Sequence, residues 1–159
     1  MKWIAFVVGG LVVLVAAVAA IGSMLPRTHK ASRTLRLKRP PEEVWSAITQ
    51  TAQASSVPVD VLESDPPRRL VTRVKESERN FGGTWTIVIA PVPSTGSGQA
   101  RSIGSGLPGS TVTVTEDGWV ANPIFRFVSR LIIGHHATMD ALLTQVAKTF
   151  NEDAALSGE

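Results

Sequence analysis

The sequence predicts an α+β domain carried behind one N-terminal transmembrane helix, and three observations lead there. Residues Trp3 to Gly22 form an unbroken apolar run without a charge. Short stretches in which apolar and polar residues alternate, bounded by Pro, Gly or Asp, follow one another between residues 34 and 116. The chain then enters a long segment, Asn122 to Phe150, whose apolar residues recur at three- and four-residue steps. Alternation is the period of a strand and the longer step that of a helix.

The apolar run comes first. At about 1.5 Å of rise per residue it crosses the roughly 30 Å hydrocarbon core of a bilayer. A cleaved secretory signal competes with this reading, because Lys2 supplies a positive start and Ala16 to Ala20 offer small residues suited to cleavage. The run is longer than the apolar core of about 7 to 15 residues typical of a signal, which favours a retained anchor. Arg27, Lys30, Arg33, Arg36, Lys38 and Arg39 follow it before any acid, against Lys2 alone in front. That bias predicts an outside N-terminus and a cytoplasmic domain on a single-pass membrane protein. The chain accordingly divides into an anchor (1–23), a basic juxtamembrane linker (24–33), a folded domain (34–151) and a flexible tail (152–159).

The high pI of about 9.8 comes from this flank. Residues 1–39 hold seven of the sixteen Lys and Arg and none of the acids, so the remainder carries nine bases against thirteen acids, a net charge of −4. Nucleic-acid binding needs positive charge clustered on the folded domain. Here it lies beside the membrane, so no nucleic-acid partner is expected and an anionic lipid surface is. With no Cys in the chain, disulfides, thiolate metal sites and Cys nucleophiles are excluded. About 120 residues after the anchor suffice for one domain.

Within the domain, Thr34 to Lys38 alternates Leu35 and Leu37 with Arg36 and Lys38, a half-buried strand. Pro40 and Pro41 open a helix, Glu42 and Glu43 suit its positive N-terminal end, and Val44, Trp45 and Ile48 form its apolar face. Val57 to Glu63, Arg69 to Lys75, Thr84 to Ala90 and Thr111 to Glu116 read as four more strands, joined as antiparallel neighbours. Ser94 to Gly109 is rich in Gly and Ser and reads as a flexible loop. Asn122 and Pro123 start the last helix, of roughly eight turns, bent near Gly134. One face carries Ile124, Val128, Leu131, His135, Met139, Leu142, Val146 and Phe150; Phe125, Ile132 and Ile133 add a second apolar stripe. A helix so widely apolar must be wrapped by a sheet, line a cavity or touch lipid.

This order resembles the START-like superfamily of polyketide cyclases and lipid-transfer proteins. The resemblance covers residues 31 to 150 and rests on RTLRLKRPPEEVWSAIT, ESDPPRRLVTRV, FGGTWTIVIAP and the segment TVTVTEDGWVANPIFRFVSRLIIGHHATMDALLTQVAKTF. It implies a helix-grip fold, an antiparallel sheet wrapped around the long C-terminal helix, with a pocket between them. Members carry a second short helix and two further strands where this chain has only TQTAQASS, Thr49 to Ser56. About five strands are therefore expected. The loss opens the pocket on one side and exposes the edge strand Val57 to Glu63, where a partner or a second copy could pair.

Strand alternation puts Trp85, Ile87 and Ile89 on one face and Val112, Val114 and Glu116 on another, with Glu116 turned inward near its strand end and Trp119 just beyond. Glu116 is either an acid–base group or a solvated strand-end carboxylate. His135 and His136 adjoin, and Asp140 follows His136 by one helical turn, a spacing as suited to a surface ion pair as to chemistry. No further ligands converge on them for a metal, and no nucleophile elbow, P-loop, GxGxxG or HExxH motif is present. Trp45, Trp85, Trp119, Phe81, Phe125 and Phe127 supply apolar surface with few polar handles. The expected function is binding of a lipid or other hydrophobic small molecule by Trp85, Ile87, Val114, Glu116, Trp119, Leu131, His135 and Met139, without catalytic residues, metal or cofactor. The alternatives are a cyclase- or hydratase-like enzyme, or an interaction domain without a functional cavity.

Overall fold

A computed structural model describes residues 2–54, 58–75, 81–92, 109–134 and 136–158. Helix α1 (Lys2–Met24) takes up the apolar run and is long and apolar enough to cross a membrane. The rest is α+β, with one open antiparallel sheet of six strands. In chain order these are β1 (Thr28–Leu37), β2 (Val59–Asp65), β3 (Arg69–Val74), β4 (Phe81–Val92), β5 (Gly109–Val120) and β6 (Leu156–Ser157). Helix α2 (Pro41–Gln53) follows β1, and α3 (Pro123–Val128) and α4 (Ala137–Thr149) follow β5. The spatial order β2-β3-β4-β5-β1-β6 brings the first long strand beside the last.

Register fixes the two faces. Ala31, Leu35 and Leu37 on β1 stand level with Glu116, Val112 and Ser110 on β5, which in turn face Trp85, Ile89 and Pro91 on β4. The buried side is lined by Leu35, Leu37, Leu70, Ile87, Ile89, Val112 and Val114. Against it pack Val44, Ala47 and Ile48 of α2 and Met139, Leu143, Val146 and Ala147 of α4. Each fully buried Leu, Ile or Val contributes about 1.5–3 kcal/mol relative to exposure. The opposite side is threonine-rich, and the hydroxyls of Thr34 and Thr113 meet across the β1–β5 pair at 3.2 Å. Thr suits such a surface because its branched Cβ favours strands while its hydroxyl tolerates water.

Several expectations change. The first strand starts at Thr28, six residues before Thr34, so most of the segment read as a linker is sheet. Its alternation is hidden in the sequence because Arg33 occupies an inward position, where its Nε donates to Asp140 Oδ1 at 3.0 Å. The sheet has six strands rather than about five, because the residues read as a flexible tail include β6, paired with Thr34 and Leu35. The backbone N–H of Lys38 donates to Glu152 Oε2 at 2.9 Å, and the Arg39 guanidinium lies 5.3 Å from the Phe150 ring centre, which ties the chain end to β1. Val57 and the loop 94–108 lie outside the described residues.

The closing helix is the largest correction. Asn122 caps α3 as expected, its Oδ1 accepting from the N–H groups of Ile124 and Phe125 at 2.8 and 3.3 Å. A single π-helical turn, Ser129–Ile133, then follows, and Gly134 ends it with φ of +80°, a conformation open to glycine. α4 starts afresh at Ala137, so a break stands where a bend was expected. Of this segment, α4 is the part that contributes to the core under the sheet. Leu143 and Leu131 therefore differ although both belong to the same apolar segment: the first is fully buried and the second 58% exposed. Leu143→Ala should cost the detergent-solubilised full chain about 2–5 kcal/mol in denaturant unfolding. Leu131→Ala should cost about 0.5 kcal/mol or less. Equal losses would show that one unbroken helix fills the core.

Candidate ligand-binding site

Between α4 and the β2–β4 side of the sheet the packing opens into a cavity of about 460 Å³. This falls within the range of roughly 300–1,000 Å³ usual for small-molecule pockets. Leu70, Thr72 and Val74 of β3 and Trp85 and Ile87 of β4 form its floor, Thr138, Ala141, Leu142 and Gln145 of α4 its roof, and Thr51 and Ala52 of α2 one end. Val59 of β2 and Phe81, both partly exposed, stand at the open margin. The cavity exists because α4 packs against β1 and α2, leaving Thr138, Ala141, Leu142 and Gln145 above a gap over β3 and β4.

Among the described residues Glu116 is the one carboxylate on the wall. Its Oε1 lies 3.5 Å from His29 Nε2, with the two side chains only 20% and 15% exposed. The neighbouring strand makes room for the imidazole: Gly118 faces His29 in the β1–β5 register, and a Cβ there would collide with the ring. Gly83, also on the wall, permits close approach of β4 to β5, since a Cβ would stand 2.7 Å from the Asp117 carbonyl oxygen. The result is a mainly apolar chamber with the Glu116 carboxylate on its wall, His29 beside that carboxylate, and Thr51, Thr72, Thr138 and Gln145 as further polar groups. An imidazole and a carboxylate can each hydrogen-bond the polar end of an otherwise apolar molecule. Among the described residues no group of three His, Asp or Glu is placed to hold a metal ion.

Of the residues expected to bind, Trp85, Ile87 and Glu116 line the chamber. Val114 and Met139 are fully buried in the core behind it. Trp119 is on the opposite face, because β5 runs on to Val120 and alternation turns residues 117 and 119 outward; its ring covers Gly82 and borders a polar hollow with Lys30, Arg73 and Asp117. Leu131 is exposed on the π-helical turn, away from the chamber. His135 lies outside the described residues. Asp140 pairs with Arg33 at 3.0 Å rather than with His136, and Phe125 is on α3. His29 was missed because its strand was read as linker; the signal was the alternation of His29, Ala31, Leu35 and Leu37.

No protein-family model and no curated protein matches this sequence. Among solved structures, a conserved protein from Geobacillus kaustophilus is similar over 80% of this chain and 99% of its own, with a TM-score of 0.53 at 14% identity. Protein CV1439 from Chromobacterium violaceum matches 81% of this chain and 100% of its own, with a TM-score of 0.44 at 18% identity. The di-domain ARO/CYC BexL from the BE-7585A biosynthetic pathway matches 95% of this chain and 57% of its own, with a TM-score of 0.28 at 14% identity. The first of these likenesses shows that the fold occurs in a solved structure.

The chamber can be tested by filling it. Ala141 is on the wall and partly solvent-facing. Ala141→Trp should therefore weaken binding of an apolar fluorescent probe about tenfold or more, a loss of roughly 1.4 kcal/mol. The unfolding midpoint should barely move, and unchanged probe affinity would place the probe elsewhere.

Proposed function

We propose that this chain is a membrane-tethered, non-catalytic binding module for a lipid or another hydrophobic small molecule, built on a START-like helix-grip domain. The observation that carries the reading is the chamber between α4 and the sheet: mainly apolar walls, with the Glu116 carboxylate among the few polar groups on them and His29 beside it. A mostly apolar pocket with a few placed polar groups suits orientation of an amphipathic molecule. The likeness to the Geobacillus kaustophilus protein supports the fold. α1 supports the tether, and the Lys and Arg that follow it support a cytoplasmic domain.

A second reading rests on the His29–Glu116 pair. An imidazole beside a partly buried carboxylate is a workable acid–base couple, so a cyclase- or hydratase-like activity on a bound polyketide-like substrate is the alternative. Glu116→Gln separates the two. It keeps the shape and removes the charge, so a binding module should retain probe affinity to within about 1 kcal/mol. An enzyme that relies on this carboxylate should lose turnover by about 100-fold or more with affinity intact. Native mass spectrometry of the detergent-extracted chain should show a co-purifying apolar molecule that is lost in Ala141→Trp. Turnover of an acyl or polyketide-like substrate, stopped by Glu116→Gln, would overturn the binding-module reading.

Topology has its own check. A reporter that works only in the cytoplasm, fused after Glu159, should be active, and an export-dependent reporter should be silent. The reverse result, or a mature N-terminus near Ala20, would show an exported domain released from its leader.

A further inference from the structure

α3 and the π-helical turn after it leave a set of large apolar side chains facing out. Phe125 is 54% exposed, Leu131 58% and Ile132 70%, and Ile124 adds to them. The core does not use this surface, and neither does the chamber. A patch of this kind on a folded domain marks an interaction surface.

What lies beside it identifies the occupant. The element against which α1 packs is α3. Gly22 of α1 is buried there, and a Cβ on it would collide with the Pro123 carbonyl, so the two backbones meet with no side chain between them. Val18 and Ala19, one turn earlier on that side of α1, are half-buried, whereas the remainder of the helix up to Ala17 is exposed. The meeting point therefore lies within the apolar run. By the helical rise, Gly22 and Val18 stand about 3 and 9 Å inside the end of α1 at Met24. An amphipathic segment at a membrane surface sinks its apolar face about 5–10 Å into the headgroup and acyl boundary.

We infer that α3 and the π-helical turn, Pro123–Ile133, are a second membrane element, seated in the interface of the bilayer that α1 spans without crossing it. The inference rests on the reading of α1 as a retained anchor. The chemistry of the segment agrees with such a seat. A helix start in a water-poor layer needs its free N–H groups satisfied, and Asn122 satisfies those of Ile124 and Phe125. Arg126, buried, turns away from the apolar side and donates to the carbonyls of Leu25 and Ala121 at 3.0 and 2.9 Å, fastening the segment to the end of α1. Arg130 is exposed, with a stem long enough to bring its charge to the headgroups. The seat also sets one side of the chamber at the membrane. Phe81 pairs with Val120, three residues before Pro123, and Thr138 is the second residue of α4, five positions after Ile133.

The absence of Cys makes the test direct. Single cysteines at Leu131, Ile132, Leu11 and Val88 each carry an environment-sensitive fluorophore in the full chain, reconstituted in nanodiscs of phosphatidylcholine and phosphatidylglycerol. Lipids bearing a nitroxide high on the acyl chain supply the quencher for Leu131, Ile132 and Val88, and lipids bearing one near the chain end supply it for Leu11. Labels at Leu131 and Ile132 should shift to the blue and lose most of their emission, while Val88, exposed on the sheet, should lose little. Quenching at Leu11 with none at Leu131 and Ile132 would overturn the inference and leave the anchor standing. A blue shift without lipid quenching would also overturn it, since a protein partner would then cover the patch. No quenching at Leu11 would overturn the anchor and the inference together.

Discussion

The cover that α4 places on the centre of the sheet is the constraint on which the remainder of this domain depends. β5 is paired along its length on both sides, and its inward Ser110, Val112 and Val114 are fully buried. Met139, Leu143 and Val146 of α4, also fully buried, close that face. Truncating such side chains removes both transfer free energy and packing, so no other element could substitute for this helix at small cost. Because α4 packs on β1 and α2, the outer strand β2 extends beyond its cover. β2 is exposed at every residue. The chamber is the space left between the roof of α4 and strands β3 and β4.

Much of this was legible in the sequence, because period and punctuation have local causes. Proline at the start of α2, acids in its first turn, Asn122 as a cap and the alternation in β3 to β5 each act within a few residues, and an element stands at each of those signals, although β4 and β5 run beyond the expected Thr84–Ala90 and Thr111–Glu116. The failures share a different cause. Arg33 interrupts an apolar alternation because Asp140, far along the chain, satisfies it. Leu131 and Ile132 continue a helical apolar period although the helix beneath them has ended. A residue records that it avoids water, not which apolar phase receives it. Core and lipid leave the same trace in sequence.

The candidate site shows the same division. Trp85, Ile87 and Glu116 were placed on the wall by alternation, which the pleat obliges every regular strand to obey. Trp119 was expected just beyond a strand end at Glu116; pairing instead continues through Val120, and alternation turns Trp119 to the opposite face. His29 was out of reach because its partner across β1 and β5 is 87 positions away and its own strand was read as linker. Glycine was the available hint. Gly82, Gly83 and Gly118 cluster at one end of β4 and β5, where Trp119, the β5 backbone and His29 respectively need the room. Glycine within strands often marks such close approaches.

The short passage from α1 to the sheet changes what the basic flank can do. Only Leu25, Pro26 and Arg27 separate α1 from β1, and Arg126 clasps the Leu25 carbonyl from below. The domain is therefore held against α1 and not swung on a flexible tether. The positive charges that orient a span during insertion are read from a chain not yet folded, and folding then redistributes them. Arg33 is committed to Asp140 and Arg39 to Glu152. Arg36 and Lys38 sit at the far end of β1, about 30 Å along an extended strand from Thr28. Screening limits an exposed charge to about 10 Å at moderate salt, so attraction to anionic lipid falls chiefly to Arg27 and Lys30, nearest the anchor. Charges counted as one cluster in sequence are thus divided by the fold: two lie nearest α1, and two lock α4 and the chain end against the first strand.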